Sequence, residues 1–219
     1  MFLIDSDKHL AYFLMLELLI SFSIASAGLA FSPGPDNVYV LTQSVTNGTS
    51  YGIATTAGLI SGCIVHTTLV AFGISALLMA SEMAFLFIKI AGACYLLYLA
   101  FKVYQAGNTL MITSQEAAKR SHFQLFKQGV IMNILNPKVT IFFMAFFPAF
   151  IWDPSGNTVL QFYILGGLFM VISFGIFSLI ALLSGRISMF LQKKKGAGTF
   201  FKWMQIAVFV GIAVFLFLP

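Results

Sequence analysis

Charge is scarce in this sequence. Lys, Arg, Asp and Glu together make up 9% of the 219 residues, whereas 59% are hydrophobic and 25 are Phe. A water-soluble domain of this size could not cover its surface with so few polar groups. There are two cysteines, Cys63 and Cys94, with no CxxC or Cys/His spacing around them. That excludes a disulfide framework and a structural zinc site, and leaves both as small apolar packing residues. No GxxxxGK[ST] phosphate loop occurs, and "KKKGAGT" at 193–199 lacks both its spacing and its ending, so an ATP-driven pump is excluded. No HExxH motif supports an intramembrane enzyme, for which His66, Asp36 and Lys138 would have to serve as acid–base groups. A channel or a structural membrane protein likewise has no pore signature to rest on. No cofactor and no metal is expected.

The sequence does have long apolar runs, at about 11–31, 53–80, 83–101, 128–151, 159–183 and 203–218. Each is near the roughly 20 residues that a helix needs to cross hydrocarbon. A β-barrel would instead show short segments of alternating polarity. The expected fold is therefore an all-α membrane protein of six transmembrane helices. Twelve Lys and Arg stand against seven Asp and Glu, a balance that can signal nucleic-acid binding, but their placement points to a membrane. Lys102, Lys119, Arg120 and Lys127 surround the connection between spans three and four. Arg186, Lys193, Lys194, Lys195 and Lys202 surround that between spans five and six. By the positive-inside rule both connections are cytoplasmic. The tips carrying Glu82 and Asp153 then face outward, both termini are periplasmic, and the uncharged 46–52 connection lies inside. "SIASAG" at 23–28 resembles a signal-peptide cleavage site. The preceding "MFLIDSDKH" lacks the positive start of such peptides, so a retained first span is expected.

One transmembrane domain over 1–219 is expected. The most polar stretch, about 105–126, is too short to bury a core and reads as a cytoplasmic linker. An offset of 104 residues places Pro33 on Pro137 and Gly62 on Gly166. The two flanking segments, about 10–104 and 127–219, thus share an order of features: broken helix, Gly-rich helix, third helix. With three spans each, they would insert in opposite senses as an inverted repeat.

The first and fourth helices are interrupted. In "AFSPGPDNVYVL" (30–41), Pro33 and Pro35 remove backbone donors, and Gly34 permits unusual dihedrals. The freed carbonyls near 29–31 need partners, which restricts such a break to a protein-covered or water-filled site. Asp36 and Asn37 follow, where either can cap a restarting helix whose positive end suits a carboxylate. The counterpart is "MNILNPKVTIFF" (132–143), where Asn133 and Asn136 flank Pro137 and Lys138 follows. Taken singly, each break is also explained as a Pro kink, with Lys138 snorkelling to an interface. Paired breaks in corresponding positions point to a transporter's central site.

In the second span, Ala54, Gly58, Gly62 and His66 recur every four residues and share one helix face, with Gly73 close to it. Gly166 and Gly167 give the fifth span a similar packing surface. His66 either bonds a neighbouring backbone or joins the polar pathway and carries a proton. Glu17 and Lys89 are the other ionisable residues inside spans. Lys89 reads as an interface anchor, and Glu17 as a residue that needs a partner.

Four stretches carry a family resemblance: "SPGPDNVYVLTQSVTNG", "AGLISGCIVHTTLVAFGISALL", "FIKIAGACYLLYLAFKVY" and "FKQGVIMNILNPKVTIFFMAFFPAFI". Together they resemble the lysine-exporter family, which includes bacterial homoserine, threonine and leucine exporters. The match in motifs runs from about residue 25 to 151. The resemblance implies a bacterial inner-membrane protein that expels an amino acid or related small molecule, driven by an ion gradient, with protons as the candidate ion. It is embedded in lipid, has no nucleic-acid partner, and leaves a homo-oligomer open. The family's motif positions fall on Pro33, Gly34, Pro35, Asp36 and Asn37, and on Asn136, Pro137 and Lys138, with Lys89, Gly92 and Tyr95 in the third span. The first connection, "TNGTSYG", lacks the basic residues that family members often carry there. The substrate is not fixed by the resemblance.

Overall fold

The computed structural model describes residues 2–75, 82–105, 120–193 and 196–217. Most of the expected linker (106–119, with Lys119), the end of the second apolar run (76–80), Lys194, Lys195 and Pro219 lie outside the described residues. Among the described residues all regular structure is helical. The elements are α1 (Phe2–Phe31), α2 (Pro35–Asn47), α3 (Thr49–Leu69) running on into a π-helical turn (Val70–Ile74), and α4 (Glu82–Gln105). They continue with α5 (His122–Ile134), α6 (Pro137–Phe146) with a 3-10 turn (Phe147–Phe150), α7 (Thr158–Leu182), α8 (Ser184–Lys193) and α9 (Ala197–Phe215). Among the described residues, five helices are long and apolar enough to cross a membrane. The pair α5–α6, bent by 53°, makes a sixth span if it is taken as one. The chain is a multi-pass membrane protein.

Local chemistry sets the boundaries. Gly48 alone joins α2 to α3 with φ at +106°, a backbone conformation that side chains oppose. α5 starts at His122, earlier than the apolar run suggested, because Ser121 and Gln124 form a reciprocal capping box. α6 starts at Pro137, capped by Asn136, whose Oδ1 accepts from the Lys138 N–H.

Close contacts between small residues fix the bundle. α3 lies against α5 so tightly that a Cβ on Gly58 would collide with the Phe126 backbone carbonyl, and one on Gly129 with the backbone of Thr55 and Leu59. Gly62 makes room for the Asn133 side chain, whose Oδ1 would lie 2.7 Å from an added Cβ. Gly166 on α7 similarly admits Thr67 of α3. Two of the expected packing glycines behave otherwise. Gly167 and Gly73 have open space where a Cβ would stand.

Contacts order the helices along the bundle. His122 Nε2 lies 3.1 Å from Ser50 Oγ, and the Tyr51 and His122 rings stack at 4.2 Å. The Gly48 turn and the start of α5 are therefore at one end. From that end α3 and α5 run in parallel, from Ser50/His122 to His66/Asn133. α7 runs against α3, joining Thr158 to Ser75 at the far end by a 3.0 Å hydroxyl bond. α2 and α5 have 13 residues each, so both breaks stand about 20 Å from the Gly48 end. Beyond them the bundle is filled with phenylalanine. Phe22, Phe142, Phe143, Phe146, Phe147 and Phe150 are fully buried, and Phe143 stacks on Phe147 at 4.0 Å.

Candidate functional site at the paired helix breaks

A helix that stops in mid-bundle leaves carbonyls that would have been bonded in the next turn, and burial makes each a cost of order 1–3 kcal/mol if unmet. Here side chains replace the missing backbone donors. The Ala30 carbonyl accepts from Asn37 Nδ2 at 2.7 Å. The Ser32 carbonyl accepts from Lys138 Nζ at 3.2 Å, reaching across from the second break. Pro137 cannot supply the N–H that the Asn133 carbonyl would receive in an unbroken helix. That carbonyl accepts instead from His66 Nε2 at 3.1 Å and from the Asn136 N–H at 3.0 Å. Because a carbonyl only accepts, Nε2 of His66 carries the hydrogen, and Nδ1 of the neutral ring is a buried acceptor with no partner.

The two breaks are joined directly. Asn136 Nδ2 donates to Asp36 Oδ2 at 2.8 Å, while its Oδ1 caps α6. One amide thereby holds the buried carboxylate of the first break and starts the second helix. Lys138, half-buried, lies between the Ser32 carbonyl and the face of Phe209 on α9, whose ring centroid is 5.4 Å away. The charged head thus stays inside the bundle instead of snorkelling. α2 and α6 both begin at the breaks, so two partially positive helix ends and one lysine stand near one carboxylate.

Sequence reasoning misplaced two details of the first break. Asp36 and Asn37 were expected to cap the restarting helix, yet the helix already begins at Pro35, whose fixed φ and missing N–H suit a first helical position. Gly34 is the cap and offers no side chain. Asp36, one residue inside, bonds across to Asn136, and Asn37 reaches back to Ala30. Gly34 is extended, with φ −157°, a conformation open to any residue. Its expected dihedral freedom is not used.

The other ionisable residues stand elsewhere. Glu17 is exposed and shares the wall of a cavity of about 900 Å³ with Tyr12, Trp152 and Asp153, so it is not buried as expected. Cys63 is buried and Cys94 exposed, both unpaired. Sequence reasoning missed Ser173 of α7. It joins Asp36, Asn37, Asn133 and Lys138 in lining a cavity of about 30 Å³ beside the breaks. A lone serine in an apolar helix gave no signal.

Residues 27–218 match the model of the family described as LysE type translocator. The homoserine/homoserine lactone efflux protein of Salmonella typhimurium is 31% identical over 179 residues, covering 82% of this chain and 86% of that one. Its Salmonella typhi counterpart of the same name matches to the same extent. An uncharacterized membrane protein of Vibrio cholerae is 31% identical over 153 residues, 69% of this chain and 73% of that one. No solved structure matches the chain.

Proposed function

The chain belongs to the LysE type translocator family, and from that premise we propose that it exports an amino acid or amino-acid derivative from the cytoplasm across the bacterial inner membrane, driven by the proton gradient. Family membership makes it a transporter and not an enzyme. The observation that carries the reading is the meeting of the two breaks, through Asn136–Asp36 and Lys138–Ser32. A zwitterion brings one anion and one cation. The starts of α2 and α6 with Lys138 suit its carboxylate, and Asp36 with the acceptors around it suits its ammonium. Efflux of homoserine and its lactone, in the names of the Salmonella relatives, fits a substrate of this class.

An inverted repeat gives the site its mechanics. In this reading α1–α4 form one unit and α5, α6, α7 and α9 the other. Packing of α1 on α7, α3 on α5 and α4 on α9 supports the exchange of partners that such a repeat requires. Rocking of one unit against the other would expose the breaks to each side in turn. The buried Phe142–Phe150 segment stands between the breaks and the Asp153 tip, so release outward requires those rings to separate. His66, with Nδ1 free to take a proton, is the candidate coupling group.

Counterflow in proteoliposomes tests the reading. Radiolabelled L-homoserine should exchange against internal unlabelled substrate, and an acid interior should accelerate its accumulation, as proton antiport demands. Purely dissipative flux would make the protein a channel, and a chemically altered product would make it an enzyme. A reporter fused after Pro219 should behave as periplasmic, and a cytoplasmic one would overturn the orientation.

A further inference from the structure

The small cavity beside the breaks has a polar wall that the helix stitching leaves unused. Several hydroxyls in these helices bond their own backbone one turn back, as Ser23, Ser44, Thr55, Ser61, Thr67 and Thr68 do at 2.7–3.0 Å. Ser173 does not. It is 2% exposed, and its Oγ has no partner. Asn133 is 3% exposed, and its Oδ1 also has none. Of the buried side-chain polar atoms left without partners, these two belong to residues lining the cavity. Asp36 lines it as well, and Phe169 and Phe177 contribute aromatic walls.

An unused buried polar atom costs of order 1–3 kcal/mol, so two of them on residues that line one cavity, Asn133 Oδ1 beside Gly62 and Ser173 Oγ, favour a donor there. Oδ1 of an amide only accepts, a hydroxyl accepts readily, and a carboxylate only accepts. Aromatic faces add attraction for a cation. The volume, about 30 Å³, is that of one water-sized group. A primary ammonium has that size, carries three donors and one positive charge, and matches the acceptors, the carboxylate and the aromatic walls; Lys138, which lines the same cavity, has its own charge held by the Ser32 carbonyl and the Phe209 ring.

We infer that Asn133 Oδ1 and Ser173 Oγ, with Asp36, form the receptor for the substrate's primary ammonium, leaving Lys138 and the helix starts to its carboxylate. This rests on the transport reading above and adds a specificity to it. A free amine is required, whereas the carboxylate can be replaced by an ester. Homoserine and its lactone share that amine and differ at the carboxylate.

Three probes separate the terms: L-homoserine, L-homoserine lactone, which lacks the carboxylate, and N-acetyl-L-homoserine, which lacks the ammonium. Thermostabilisation of the full chain in detergent reports binding without needing transport, and competition in counterflow reports it with transport. The first two probes should bind the wild type and the third should not. Ser173→Ala and Asn133→Leu should weaken both amine probes about 10- to 100-fold, in equal measure, as expected for loss of a hydrogen bond to a charged group. Asn133→Asp, which keeps the acceptor, should retain them. Wild-type affinity in folded Ser173→Ala, or equal binding of the N-acetyl probe, would overturn the inference and leave the cavity to a water. Binding of the amine probes without any counterflow would instead remove the transport reading while keeping the receptor.

Discussion

The two helix breaks use similar residues in different ways. The second is largely self-contained: Asn136 caps α6 with its own Oδ1, and its N–H bonds the Asn133 carbonyl within the same turn. The first, without a capping side chain at Gly34, has its Ser32 carbonyl and its buried Asp36 served from the second half, by Lys138 and Asn136. One break is therefore the anchor and the other depends on it. The rocking proposed above would strip partners from Ser32 and Asp36, and His66 from the Asn133 carbonyl, but would leave that carbonyl its Asn136 N–H and the α6 cap intact. In that proposal the first break is the one left with groups that have no partner.

Several substitutions would break or sharpen this contrast. The largest effect is expected at Gly58, where the halves touch through α3 and α5. Gly58→Val drives a side chain into the Phe126 backbone and should cost ~3 kcal/mol or more. Loss of a monodisperse peak in fluorescence-detected size exclusion would be the sign. A wild-type profile would mean that the halves are held elsewhere.

Asn136→Ala comes next, because it removes both the α6 cap and the donor to Asp36. A cap contributes roughly 1 kcal/mol and a bond to a charged group about 1.5–3 kcal/mol. Exchange should fall by about 10- to 100-fold, with a lowered melting temperature. Asn136→Ser restores the cap alone and should recover stability but not transport. Recovery of both would make the bridge to Asp36 dispensable.

Asp36→Asn keeps shape and helix position and removes the charge. We expect a protein of near-normal stability that has lost gradient-driven export, measured as homoserine accumulation in acid-loaded proteoliposomes. Full activity would assign Asp36 to holding the breaks together and deny it the ammonium or a proton.

His66→Gln is milder, because its amide N–H can still reach the Asn133 carbonyl. Exchange should persist, while its dependence on pH between about 6 and 8 flattens. An unchanged pH profile would confine His66 to replacing the N–H that Pro137 lacks. The smallest effect belongs to Gly167→Ala, which fills open space and should change stability by less than about 0.5 kcal/mol. A large loss there would show that a second packing surface exists on α7.

Much of this was legible in the sequence. Scarce charge and long apolar runs determined a helical membrane protein, because hydrocarbon leaves the backbone no other way to meet its hydrogen bonds. Pro33, Pro35 and Pro137 marked the interruptions, because proline lacks an N–H wherever it stands. The spacing of Gly58, Gly62 and His66 put them on one face, since helical periodicity is local. Partner choice was another matter. His66 finds a carbonyl 67 residues away, Asn136 finds Asp36 at a separation of 100, and Lys138 finds Ser32 at 106. Periodicity carries no information about such pairs, which follow from how closely α3, α5 and α7 cross. That closeness also turned Asp36 from an expected cap into an acceptor across the bundle, and gave Ser173 a place in the cavity wall. The sequence by itself determined where backbone groups would be left without partners. The tertiary structure alone decided which side chains would meet them, because that depends on which helices approach within hydrogen-bond reach.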